Sequence, residues 1–99
     1  MTALRKEIKR SIERCVRQHA ANDALLYLFG SFARGDADRG SDIDLALDIG
    51  SGTFADVSAL LLGDLERDVP TVRSFDLVDL KTAAPSLRDK IAKEGIRWL

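Results

Sequence analysis

The chain is predicted to fold as an α/β domain, a small mixed β-sheet whose helices crowd one face and leave the other free. Three observations lead there. Ile43, Leu45 and Leu47 alternate with Asp42, Asp44, Ala46 and Asp48, the period of two that marks a half-buried strand. Residues 24–29 are apolar without alternation, as in a strand covered on both faces and therefore central in its sheet. Leu4, Ile8, Ile12, Cys15 and Val16 recur at helical spacing and make one buried stripe. The full order reads helix, strand, strand, helix, strand, helix, strand.

Taken in order, the first helix covers about residues 2–20, with Lys6, Arg10, Arg14 and Arg17 on a second face. That stripe is either a solvated basic face or a docking surface for an acidic partner or RNA, and both readings stay open. His19 has no second histidine to work with and is read as a surface residue near a helix end. Asn22-Asp23 is a turn, residues 24–29 are the first strand, and residues 31–34 are a short helical turn. Residues 35–40, rich in aspartate and glycine, form an exposed loop in which Asp36, Asp38 and Arg39 are solvated. The second strand runs from Asp42 to Asp48 and is broken by Gly50-Ser51-Gly52. Thr53 is a reasonable helix cap, after which Phe54, Val57, Leu60, Leu61 and Leu65 trace a core face to about Arg67. A third strand covers residues 72–80. Pro85 suits the first turn of the next helix, Leu87 and Ile91 give it a short apolar stripe, and Lys90 and Lys93 suit its C-terminal end. Gly95 is read as its C′ residue, and residues 96–99 as a last short strand. Trp98, at the end of that strand, is assigned to packing rather than base stacking.

Ninety-nine residues are expected to make one domain, 1–99, able to bury roughly 60–70% of the surface of its unfolded chain. No apolar run reaches the ~20 residues of a membrane span, and the charges spread through the N-terminal helix do not match a signal peptide, so a cytoplasmic protein is expected. Cys15 is the sole cysteine, which excludes an internal disulfide; its neighbours make it a buried structural thiol. A net charge of −1 argues against a general nucleic-acid binder.

The chemistry concentrates in residues 29–48. Asp42 and Asp44, two apart on a strand, project from one face. Carboxylates held that close repel unless a cation sits between them. Oxygen-only ligation with open positions suits Mg²⁺, which keeps waters and takes its other ligands from substrate phosphates. Gly30-Ser31, at the end of a buried strand, lets a phosphate approach the backbone, offers N–H groups and adds a hydroxyl. Each half alone is common; the conjunction is rare. On the third strand Asp76 and Asp79 fall on opposite faces, and their apolar neighbours do not decide which looks into the cleft. Asp48 is in phase with Asp42 but about 20 Å away by strand rise, too far to share a site.

Gly30-Ser31, ten residues, then Asp42-Ile43-Asp44 resembles the signature of the DNA polymerase beta-like nucleotidyltransferase superfamily, and in particular its minimal members, the MNT proteins. The likeness extends to residues 75–80, which resemble the family's third-carboxylate strand, and to residues 91–99 with Glu94-Gly95. The resemblance implies a minimal nucleotidyltransferase fold in which Asp42, Asp44 and Asp76 bind two Mg²⁺ ions. It also implies that Gly30 and Ser31 hold the triphosphate of ATP, and it selects Asp76 over Asp79. An Ala-Arg-Gly segment commonly follows the turn in that family, so Arg34 is a candidate for the phosphates or a partner, weighed against a structural salt bridge. For MNT proteins the resemblance further implies antitoxins that adenylylate a tyrosine of a helical HEPN ribonuclease toxin, in an oligomer with it. Two alternatives stand beside it: an antitoxin that acts by binding alone, and a nucleotidyltransferase with a small-molecule acceptor.

Overall fold

The computed structural model describes residues 3–99, so the expected helix start at residue 2 lies outside the described residues. Helix α1 (Lys6–His19) buries Ile8, Ile12, Cys15 and Val16, the stripe expected from their spacing. Strand β1 (Leu25–Phe29) leads into the four-residue α2 (Ser31–Arg34), and β2 (Ile43–Asp48) follows the loop. Helix α3 (Phe54–Asp68), strand β3 (Phe75–Asp79), helix α4 (Pro85–Glu94) and strand β4 (Ile96–Arg97) complete the chain. The sheet order is β3-β2-β1-β4. β1 is antiparallel to both β2 and β4, while β2 and β3 are parallel and joined through α3. The sheet is therefore mixed, and β1 and β2, the two apolar runs, are its central strands. No helix among the described residues is long and apolar enough to cross a membrane.

Helices α1 and α3 pack on one face against Leu26, Leu28, Ile43, Leu45 and Leu47. Trp98 joins this core, with the Lys9 ammonium 5.7 Å from its ring centre, and Cys15 is buried in it. Helix α4 departs from the one-face expectation. Its Ile91 and Leu87 pack with Phe29, Ala46, Tyr27 and Val78 in a second, smaller cluster. These sheet residues alternate with those of the main core, so the cluster lies on the other face. A stripe of two apolar residues does not reveal which face of a sheet it will meet.

Smaller differences have local causes. Leu60, expected in the core, is 65% exposed while Leu61 and Leu65 are fully buried; adjacent helical residues diverge by about 100° around the axis. Strand β3 starts at Phe75 rather than Val72, because Val72 is fully exposed and Arg73 turns aside to bond the 38–41 segment. Thr53 stands at the cap of α3 but makes no side-chain cap bond. Gly95 ends α4 with φ −68°, not in the left-handed region. What it supplies is room, since a Cβ there would run into the Ile91 carbonyl and stand 3.3 Å from Ile91 Cγ2. His19 is not free on the surface: it bonds Asp64 of α3, which also takes Arg67. Those two hydrogen bonds hold the Asp64 carboxyl below its ordinary range.

Packing sets the scale of the fold's sensitivity. Leu45→Ala, at a site with 0% exposure, should cost about 2–5 kcal/mol of unfolding free energy in a denaturant titration. Leu60→Ala on the outer side of α3 should change it by about 0.5 kcal/mol or less, and equal losses would contradict this packing.

Candidate active site

The second sheet face carries the carboxylates. Asp44 is the second residue of β2 and lies opposite Phe29 of β1 on one side and Asp76 of β3 on the other. Residues opposite one another in a sheet project from the same face, so the register brings Asp44 and Asp76 together. Asp79 is opposite Leu47 and so belongs to the other face. Its carboxylate accepts from the Lys81 N–H at 3.0 Å and the Thr82 hydroxyl at 3.2 Å, which is the work of a residue closing a strand. The choice between the two aspartates, open in the sequence, is thereby resolved in position: Asp76 is Asp44's neighbour.

Asp42 stands just ahead of β2, whose first residue is Ile43. It is exposed, as is Asp76, whereas Asp44 is half-buried. Burial pushes the Asp44 carboxyl above its ordinary range, and the charges of Asp76 and then Asp42 push the same way; Arg34 and Lys90 oppose them. Asp44 thus feels both of the other acids. Among the described residues, no three His, Cys, Asp or Glu side chains are gathered closely enough to hold an ion as they stand, the spread expected of like charges.

Gly30 lies under Asp44. It ends β1 with φ 75° and caps α2 without a side-chain hydrogen bond. A Cβ on Gly30 would overlap the Asp44 carboxylate and stand 2.9 Å from its Cγ. Two reasons for glycine coincide here, a backbone conformation L side chains rarely adopt and a space already taken by a carboxylate. Ser31 follows as the first residue of α2 and is half-buried. The set is chemically suited to a divalent cation: oxygen donors only, burial and then neighbouring negative charge raising the pKa of its most buried member, and a glycine turn directly beside them.

Arg34 is held by Asp36 at 3.1 Å and Glu94 at 3.3 Å. The salt-bridge expectation therefore holds, and its positive field still reaches Asp44. Asp48 is occupied at the far end of β2, accepting from the Gly50 N–H at 2.9 Å, with the Lys81 ammonium at 3.5 Å. Sequence reasoning missed Lys90. It was assigned to the end of α4, but packing of α4 on the second face places its charge where Asp44 feels it. Nothing local marked it, since Lys90 is exposed and its neighbour Ile91 shows only that α4 has an apolar side, not which face of the sheet that side meets.

Comparison with known proteins follows from this geometry. The model of the polymerase beta nucleotidyltransferase family matches residues 10–98. Protein adenylyltransferase MntA of Shewanella oneidensis is 32% identical over 89 residues, 85% of this chain and 59% of that protein, so the chain spans less than two thirds of this relative's length. A solved toxin–antitoxin structure with AMP-PNP superposes with a TM-score of 0.77 at 28% identity, over 91% of this chain and 72% of that one. A solved complex of tri-AMPylated Shewanella oneidensis HEPN toxin with MNT antitoxin gives a TM-score of 0.69 at 25% identity, over 92% of this chain and 69% of that one. The family match takes in the Gly-Ser turn and all three aspartates and runs nearly to the last residue: the chain belongs to the polymerase beta nucleotidyltransferase family.

Proposed function

We propose that this chain transfers AMP from ATP to a tyrosine hydroxyl of a partner HEPN ribonuclease toxin, and acts as its antitoxin. The observation that carries the reading is the register that sets Asp44 opposite Asp76, with Asp42 two residues away and the bare backbone of Gly30 against the Asp44 carboxylate. Supporting the acceptor class are the relatives, one a protein adenylyltransferase and one a complex with an AMPylated HEPN toxin.

In this reading Asp42, Asp44 and Asp76 hold two Mg²⁺ ions, with Asp76 serving the one on the acceptor side. Bound there, the ions would offset the carboxylate charge and stabilise both the attacking and the leaving oxygen. Gly30 and Ser31 receive the triphosphate, the first by leaving the turn without a side chain and the second through N–H and hydroxyl groups. Arg34 and Lys90 add positive charge on the same side. The acceptor oxygen forms a bond to the α-phosphorus and gives up its proton. The bond from that phosphorus to the bridging oxygen breaks in line, and pyrophosphate leaves with the electron pair.

The direct test mixes the purified chain with Mg²⁺-ATP and a HEPN protein, sought first in the adjacent reading frame. Wild type should add the mass of AMP to a toxin tyrosine as ribonuclease activity falls. Asp42→Asn and Asp44→Asn should lose transfer by several orders of magnitude while staying folded. Neutralisation by wild type and variants alike, with no mass gained, would leave binding alone as the mechanism.

Asp44 also has a signature without metal or nucleotide. Its pKa is raised in the folded state, so the ionised carboxylate opposes folding. Asp44→Asn should therefore melt at or above the wild-type temperature at neutral pH. The gap should close as pH falls through the raised value toward the unfolded one, about 3.9. A variant that melts well below wild type at pH 7 would mark Asp44 as a structural residue.

The two β3 aspartates should separate by function. Asp76→Ala should abolish transfer yet retain much of the metal-dependent nucleotide binding, whereas Asp79→Ala should leave transfer nearly unchanged. The reverse result in the same assay would place the wrong residue in the site.

A further inference from the structure

The three pieces of the site come from separate parts of the chain, and one side chain ties together segments that flank them. Arg73 sits three residues ahead of Asp76, just before β3. Its Nη1 donates to the carbonyl oxygens of Ser41 at 2.7 Å and Asp38 at 2.8 Å, with that of Arg39 at 3.4 Å. Its guanidinium carbon lies 4.8 Å from the centre of the Phe32 ring. Ser41 immediately precedes Asp42, and Phe32 immediately follows Ser31. One guanidinium therefore joins the loop that delivers Asp42, the turn that carries Ser31 and the approach to the strand that bears Asp76.

The need for such a tie differs among the three carboxylates. Asp44 is paired on both sides, with Phe29 and with Asp76, so the sheet fixes it. Asp76 stands in the β3 ladder. Asp42 lies outside the ladder, at the end of an exposed loop. That loop is shaped by its own bonds, Gly40 N–H to Asp38 Oδ1 at 2.9 Å and Asp38 N–H to Ser41 Oγ at 2.9 Å. They give the turn its form but do not attach it to the sheet. Ala37 buries the start of the loop in the main core, and the carbonyls of Asp38 and Ser41 converge on Arg73, which anchors the stretch leading to Asp42. Among the described residues, the partners of Arg73 are backbone carbonyls and a ring rather than a carboxylate, so it serves the shape of the loop and not charge balance.

We infer that Arg73 is a positioning residue that fixes Asp42 relative to Asp44 and Asp76 and so sets how tightly the three carboxylates take a divalent cation. The inference rests on the site reading proposed above. It acts through geometry alone, as groups that orient a ligand from behind commonly do, at a cost of roughly 10–100-fold in metal affinity when removed. The electrostatic effect of losing Arg73 would run the other way, because a positive charge taken from the neighbourhood of a cation site favours the cation. Position and charge therefore predict opposite signs.

The test is Mn²⁺ binding to the full chain, followed by electron paramagnetic resonance without nucleotide or acceptor, for wild type, Arg73→Met, Arg73→Lys and Asp44→Asn. Arg73→Met keeps an apolar stem against Phe32 and loses the donors; it should bind Mn²⁺ at least about tenfold more weakly, and the amides of residues 39–42 should exchange faster. Arg73→Lys, which keeps the charge and can reach one or two of the carbonyls, should recover part of the affinity. Should Arg73→Met not fold, Arg73→Lys decides, with severalfold weaker binding expected. Unchanged or tighter Mn²⁺ binding in a folded Arg73 variant would overturn the positioning role. Wild-type Mn²⁺ binding that is insensitive to Asp44→Asn would bring down the site reading itself, and this role with it.

Discussion

The carboxylate of Asp44 occupies the space that any side chain on Gly30 would need, and the site takes its form from that contact. It fixes how close β1 can bring its terminal turn to the acidic strand, and it forces the turn to be glycine on steric grounds as well as conformational ones. The antiparallel pairing of Phe29 with Asp44 sets up the approach. The parallel pairing of Asp44 with Asp76 then builds outward from the same residue. The glycine turn and the acids thus lie side by side because one aspartate is shared between them.

That arrangement holds a tension that the rest of the domain contains. Asp44 is pushed toward its neutral form by burial and by two neighbouring acids, and only partly relieved by Arg34 and Lys90. Both of those cations depend on α4, Arg34 of α2 through its pair with Glu94 and Lys90 as a residue of α4 itself. The small apolar cluster of Ile91, Leu87, Phe29 and Ala46 is what keeps α4 on this face. Its contribution is less to the core than to the placement of charge.

What could be read from the sequence follows from which signals are local. Alternation around Ile43, Leu45 and Leu47 identified β2 and the acids opposite its apolar side, and the unbroken run into Phe29 identified a central strand, because period and burial are properties of a few successive residues. The register between strands is not local. Phase alone left Asp76 and Asp79 open until β3 was seen to pair with β2, and the contact of Gly30 with Asp44 needed the β1–β2 register as well. Lys90, read only as a cation suited to a helix end, and Arg73, given no role, are related cases: the importance of each comes from a partner far away in the chain. Leu60 shows the limit of periodicity itself, since it lies one residue from Leu61 and on the edge of the face that a stripe of leucines suggests.

The two kinds of strand pairing have a consequence for the order in which the domain assembles. β1 and β2 are neighbours along the chain and meet antiparallel, so Gly30 and Asp44 come together by closing a short loop. Asp76 can join only after the chain has crossed over through α3, because parallel strands require a long connection, and long-range pairing is the slow part of folding. The acidic pair and the turn beside it can therefore exist before the third carboxylate arrives. Docking of α3 on the sheet is thus what brings the third carboxylate to the other two, so the set of three depends on a connection that cannot be made by a local turn.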